Sequence, residues 1–175
     1  MCMLYRLWRA CRRPESAEWE EARAGHWDTA VRNSSALRAA IARALRVEMA
    51  TEMGAAAIQC FWDLEKFYDN ICLSRLIGEA RALAYPATLL CIGLQAHLGQ
   101  RWLKYESHIA GPILPHNSVT AGCGQANTWA RITLYSVLEE LHLRYPLVHA
   151  QQFVDDVPFT AVGHVRHIAQ SVAAA

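Results

Sequence analysis

The run "QQFVDDVPFT" (residues 151–160) sets two adjacent carboxylates, Asp155 and Asp156, in the middle of an otherwise apolar, strand-like stretch. Asp is rarely buried unless it is paired or bound to a metal. The run therefore has to bend at its carboxylates, and a hairpin is the simplest path for it. A tight turn alone explains Asp at such a bend, because Asp tolerates turn geometry. A divalent-cation site explains it as well. The choice depends on whether other carboxylates reach the same place.

The remaining pattern is mixed. "PESAEWEEAR" places acids in the first turns of a short helix beginning near Pro14. "RNSSALRAAIARALRVEMATEM" predicts a longer helix, capped by Asn33 or Ser34 and ended by Gly54, with an apolar stripe of Leu37, Ile41, Ala44, Leu45 and Met49. Ala57–Trp62 is a short apolar run that reads as a buried strand ending at Asp63. Helices are expected over "LSRLIGEARALA" and, with Pro86 as first residue, over "ATLLCIGLQAHLG". "RWLKYES" and "HIAGPIL" read as two short strands, and "GPILPHNSVTAGCGQ" as a Gly/Pro-rich loop. A long amphipathic helix over "ANTWARITLYSVLEELHLRYP" stops before Pro146. "LVHAQQFV" and "VPFTAVG" form the hairpin around Asp155-Asp156, and "HVRHIAQSVAAA" begins another helix. The fold class is α+β.

Composition narrows the function. With 53% hydrophobic and 19% charged residues the chain has enough apolar surface for a core, which argues against disorder. No run reaches the roughly 18 apolar residues of a membrane span, and Arg6 and Arg9 interrupt the apolar start as a signal peptide would not. A soluble intracellular protein with no membrane partner is expected. The six cysteines are dispersed without a Cys-x-x-Cys pair, which fits neither a zinc finger nor a disulfide framework. Net charge is +1, divided into +4 over residues 1–46 and −3 over the rest. A compact nucleic-acid-binding domain is usually far more basic.

The strand end at Asp63 supplies the further carboxylate. If its strand neighbours the Asp155-Asp156 hairpin, three acids meet at one end of a sheet. Hard ions such as Mg²⁺ take oxygen ligands, with one or two carboxylates from the protein and substrate phosphates beside them. Without an ion the acids repel one another, which gives a reason to expect a ligand.

"FWDLEKFYDNI" resembles the first catalytic motif of reverse transcriptases: an apolar strand, Asp, then an aromatic–Asp pair. "QQFVDDVPF" resembles the third motif, an aromatic, any residue and Asp-Asp at a hairpin. "SVTAGCGQANTWARITLYSVLEEL" lies where the second motif, a glycine-bearing loop leading into a long helix, belongs. "LYRLWRACRRP" and "VRNSSALRAAIARAL" resemble the segments preceding the first motif in cellular retroelement polymerases. The resemblance covers about residues 4–163.

It implies a polymerase palm-like antiparallel sheet with packed helices and part of the fingers. Residues 1–54 would be a fingers-like helical part, 55–163 the palm with three motifs, and 164–175 the start of a truncated segment, in one partial domain. Only 19 residues follow Asp156, so the thumb is expected to be absent and further polymerase segments to belong to a longer parent. The implied activity is RNA-templated DNA synthesis, weak or lost in this piece, on an RNA template and DNA primer with deoxynucleoside triphosphates. Asp63, Asp155 and Asp156 would be the catalytic residues and the ligands of Mg²⁺ or Mn²⁺. Asp63 and Asp155 would be the main pair and Asp156 a supporting one. Leu64, Tyr68 and Gly122 would touch the nucleotide, with the Tyr68 ring excluding a ribose 2′-hydroxyl. Phe153 would pack beneath the hairpin near the primer end.

The second motif departs from the family pattern. Ala121-Gly122 replaces a glutamine–glycine pair and Ala126-Asn127 stands near an expected serine–proline. Gly122 still permits close backbone approach, and Gln125 is the nearby amide able to substitute for the missing one. The departure leaves a second expectation open, a catalytically inactive palm-like remnant serving as a nucleic-acid-binding or interaction module. A nuclear location would suit a retroelement enzyme, although no basic cluster of the localisation type is present.

Overall fold

The computed structural model describes residues 3–174. In chain order the elements are α1 (Met3–Cys11), α2 (Arg13–Ala22), α3 (Ala36–Glu52), β1 (Ala56–Asp63), α4 (Phe67–Asn70), α5 (Leu73–Ala82), α6 (Ala87–Leu98), β2 (Arg101–Tyr105), β3 (His108–Ile113), α7 (Ala126–Arg144), β4 (Val148–Ala150), β5 (Asp156–Gly163) and α8 (Val165–Ala174). The α+β class is borne out. Two compact units interleave along the chain: residues up to Ala22 with Lys66–Thr133, and Arg23–Glu65 with Leu134–Ala175. Helix α7 contributes its beginning to the first unit and the remainder to the second.

The first unit packs helices α1, α2, α5, α6 and the start of α7 around Trp129, Leu76, Leu89, Val119 and Ile71, all buried. Gln125 holds its centre: its amide nitrogen donates to the Leu89 carbonyl at 3.1 Å and its oxygen accepts from the Tyr5 hydroxyl at 3.1 Å. Glu20 of α2 accepts from the Thr128 hydroxyl and faces Arg131 at 3.7 Å. Pro86 stands one position earlier than expected, at the N-cap of α6 rather than inside its first turn.

His97 closes α6 inside this unit. It is 1% exposed, packs on Trp129, and its Nδ1 accepts the Thr120 N–H at 3.0 Å. Burial, then the nearby Arg101, push its pKa down to about 4. A histidine depressed in the folded state favours folding fully above the unfolded value of about 6.5, and that contribution is lost as the pH falls towards 4. His26 and His149 of the second unit, both lowered first by burial, act in the same direction. Urea titrations should therefore lose on the order of 3 kcal/mol between pH 6.5 and 4 through His97, and His97→Gln should remove most of that slope. An unchanged slope in the variant would exclude His97 as its source.

The second unit is built on a three-stranded antiparallel sheet of order β1-β5-β4. One face lies on a core of Trp27, Leu138, Leu141, Val148, Phe159, Ala161 and Ile168, drawn from α7, α8, the strands and the segment before α3. α3 packs against β1 and β5. Two expectations fail here for one reason. β1 is an edge strand with Phe61 and Trp62 exposed, not a buried one. The large members of the α3 stripe, Leu37, Ile41, Leu45 and Met49, face outward, while Ala39 and Ala50 are the helix's buried residues. Periodicity marks a face without saying which way it turns, and here small residues allow the close approach. Neither expected cap serves: the Ser35 hydroxyl accepts from the Arg38 N–H at 3.2 Å. Met53 is the C-cap, and Gly54 follows with φ +70°, the left-handed geometry glycine adopts without strain.

Candidate metal and nucleotide site

The register of β1 against β5 runs from Ala56↔Gly163 to Asp63↔Asp156, so the last pair of the ladder sets two carboxylates directly opposite each other. Opposed residues of an antiparallel pair have Cβ atoms roughly 4.5–5.5 Å apart, and like charges there destabilise the sheet. Both side chains are exposed.

The neighbouring turn is built tightly. Phe153 and Asp156 bridge each other, leaving Val154 and Asp155 as the two turn residues. Val154 has φ +63°, unusual for a β-branched residue, and such positions persist only where the surroundings enforce them. The enforcement is visible. The buried Gln152 donates its amide to the Val154 carbonyl at 2.8 Å. Its own N–H donates to the Trp27 carbonyl at 2.7 Å, and its carbonyl accepts the Thr29 N–H at 2.9 Å and the Thr29 hydroxyl at 2.8 Å. The segment around Trp27 thus fixes the root of the hairpin, a role no sequence spacing signalled because the partners lie over 120 residues apart.

A groove of about 310 Å³ opens beside these carboxylates. Asp63, Asp156, Phe153 and Pro158 line one side; Ala36, Ala39 and Ala40 of α3 form another, their short side chains leaving it open. Arg43 also faces it, with its guanidinium 5.1 Å from the centre of the Phe61 ring. That stacking orients a cation towards the same groove as the two acids. Arg43 escaped notice in the sequence because nothing local distinguishes it from its neighbouring arginines.

Of the expected site residues, Asp63, Asp155, Asp156 and Phe153 thus share one end of the second unit. Leu64, also of this unit, packs its side chain against the core. Tyr68 and Gly122 belong to the first unit. The Tyr68 hydroxyl donates to Asn127 Oδ1 at 2.9 Å, and its carbonyl accepts from Val119 N–H at 2.8 Å, so the loop before α7 and that helix's first turn steady this residue. Gly122 takes φ +79° with open space where a Cβ would stand; conformation, not crowding, calls for glycine there. Gln125 does not replace the missing amide, since it is wholly buried and both ends of its side chain are bonded inside the unit.

The donor set suits a hard divalent cation, which asks the protein for one or two carboxylates. Among the described residues no group of three or more His, Cys, Asp or Glu side chains is arranged to hold a metal ion, so the fit rests on the opposed pair with Asp155 next in the turn. Among the same residues no helix is long and apolar enough to cross a membrane. No protein-family model matches the chain, and no curated protein matches it.

Proposed function

We propose that this chain is a reverse-transcriptase-like palm whose parent reaction is RNA-templated nucleotidyl transfer: a primer 3′-hydroxyl attacks the α-phosphate of a deoxynucleoside triphosphate and pyrophosphate leaves. The observation that carries this reading is the Asp63↔Asp156 pairing, with Asp155 in the adjoining turn. The strand order β1-β5-β4 supports it too, because it sets the lone acid's strand beside the acid-bearing hairpin.

In this reading Asp63 and Asp156, with Asp155 beside them, hold Mg²⁺ or Mn²⁺. Such an ion, when bound, activates the attacking oxygen and stabilises the leaving one. Gln152 and Val154 keep the hairpin acids in place, Arg43 offers a guanidinium to phosphate oxygens, and the alanines of α3 leave room for substrate. Tyr68 lies in the first unit, and its role as sugar gate is what the resemblance alone implies.

Primer extension on an RNA template tests the reading. The chain should extend a DNA primer with Mg²⁺ or Mn²⁺, prefer deoxynucleotides, and lose the activity in Asp63→Asn and Asp155→Asn. Tyr68→Ala should relax the sugar preference while the carboxylate requirement stays. Extension that survives both aspartate changes would exclude this site. Tight binding of the primer–template without extension would instead favour the inactive nucleic-acid-binding module.

A further inference from the structure

The hairpin β2–β3 stands in solvent along its whole length. Every residue of β3 and all of β2 except the half-buried Arg101 are exposed, and the pair forms a sheet of its own. Trp102, Leu103, Tyr105 and Ile109 are each more than half exposed. A lone two-stranded hairpin is marginal in water and gains stability from further strands or a cover. Exposed apolar side chains together with free strand edges make a template for another strand.

The two edges are not equivalent. On β3, Pro112 lacks an N–H, and the register slips there: Arg101 pairs with Ile113 and Leu103 with Ala110, so Gly111-Pro112 faces Trp102 alone. A proline and a bulge are the usual means of closing an edge. β2 has neither.

The sequence of β2, Arg-Trp-Leu-Lys-Tyr, is complementary to itself. Two copies side by side and antiparallel, related by a twofold axis normal to the sheet, keep the same face outward only when residues of like parity oppose. Centred on Leu103, that arrangement sets Leu103 against Leu103, Trp102 against Lys104 and Arg101 against Tyr105. Each aromatic then meets a cation and no like charges face each other. Centring on Lys104 opposes two lysines, and centring on Trp102 sets Arg101 against Leu103. Arg101 is already steadied by bonds to the His97 carbonyl at 3.2 Å and the Thr120 hydroxyl at 3.3 Å.

We propose that β2 is a homodimerisation edge, through which two copies of this chain join their hairpins into one four-stranded sheet of order β3-β2-β2-β3 centred on Leu103. The contact is isologous, so it closes at two copies.

Sedimentation equilibrium of the full chain across the micromolar range tests it. A reversible dimer is expected, and Leu103→Lys, which sets like charges face to face on the axis, should raise its dissociation constant more than about tenfold with the far-ultraviolet circular dichroism unchanged. A second test does not depend on that variant. With Cys2, Cys11, Cys72 and Cys91 changed to serine, Leu103→Cys should form an intermolecular disulfide on mild oxidation, because opposed residues stand within disulfide reach. Trp102→Cys, offset from its own copy, should not. A chain monomeric throughout the range overturns the proposal. So does a dimer indifferent to Leu103→Lys, or one that cross-links as readily through position 102. A monomer that binds a single-stranded oligonucleotide and loses it in Trp102→Ala would assign the hairpin to nucleic acid and also overturn it.

Discussion

Asp156→Asn should abolish metal-dependent primer extension while making the protein more stable. The two effects share one cause. Asp63 and Asp156 end the β1·β5 ladder as direct partners, and two carboxylates opposed across an antiparallel pair repel each other when nothing lies between them. Neutralising one removes the repulsion, so the metal-free variant should gain roughly 0.2–1 kcal/mol in urea denaturation. Asn keeps the shape and one acceptor oxygen but gives up the charge a hard cation requires. Added Mg²⁺ should accordingly stabilise the parent chain by mass action and leave the variant unmoved. A site that is only a structural turn keeps the gain from Asn, which the opposed charges alone produce, but predicts no stabilisation by Mg²⁺. The geometry also shifts weight within the acidic pair. The resemblance casts Asp155 as a main ligand and Asp156 as a supporting one, yet it is Asp156 that faces Asp63, with Asp155 in the turn. Comparing the Mg²⁺ dependence of Asp155→Asn and Asp156→Asn separates the two assignments.

What the sequence made legible was local. The hairpin at Asp155-Asp156, the strand ending at Asp63 and the long helix after the glycine loop each follow from a short run of residue types, and each is present. What it hid was the direction of faces and the distant partners. The α3 stripe of Leu37, Ile41, Leu45 and Met49 has the spacing of a buried face but lies in solvent, because alanines suffice where the helix comes close. Phe61 and Trp62 read as core for the same reason, β-strand composition being silent on whether a strand is central or at an edge. At the site, Gln152, Thr29 and Arg43 were invisible: each acts through a partner far along the chain or through one face of a groove. Gln125 shows the converse. Its position near the second motif made it a candidate for the nucleotide, whereas its side chain is consumed by Tyr5 and Leu89.

Trp27→Ala should be the most destabilising single change in the second unit. Trp27 is fully buried, meets Tyr135 edge to face with ring centres 5.3 Å apart, and donates its indole N–H to Glu139 Oε1 at 2.7 Å. Truncating a buried Trp costs about 3–5 kcal/mol in transfer and cavity terms, and a carboxylate that loses its donor adds to this. That is a large part of the stability of any single domain. Trp27→Phe should cost less, since a phenyl ring still fills part of the site, although the bond to Glu139 and the rest of the indole are lost. The difference between the two variants in urea denaturation therefore measures the packing that a phenyl ring restores. The consequence extends to the carboxylates. The Trp27 carbonyl accepts the Gln152 N–H, and Gln152 braces the strained turn at Val154. Loosening this segment lets Val154 leave its left-handed conformation, so hydrogen exchange at Phe153 and Asp156, which bond each other across the turn, should speed up in Trp27→Ala even under conditions where the unit remains folded. Loss of stability below about 1 kcal/mol in Trp27→Ala, or exchange at Phe153 and Asp156 unchanged from the parent, would contradict the packing and bracing assigned to this residue.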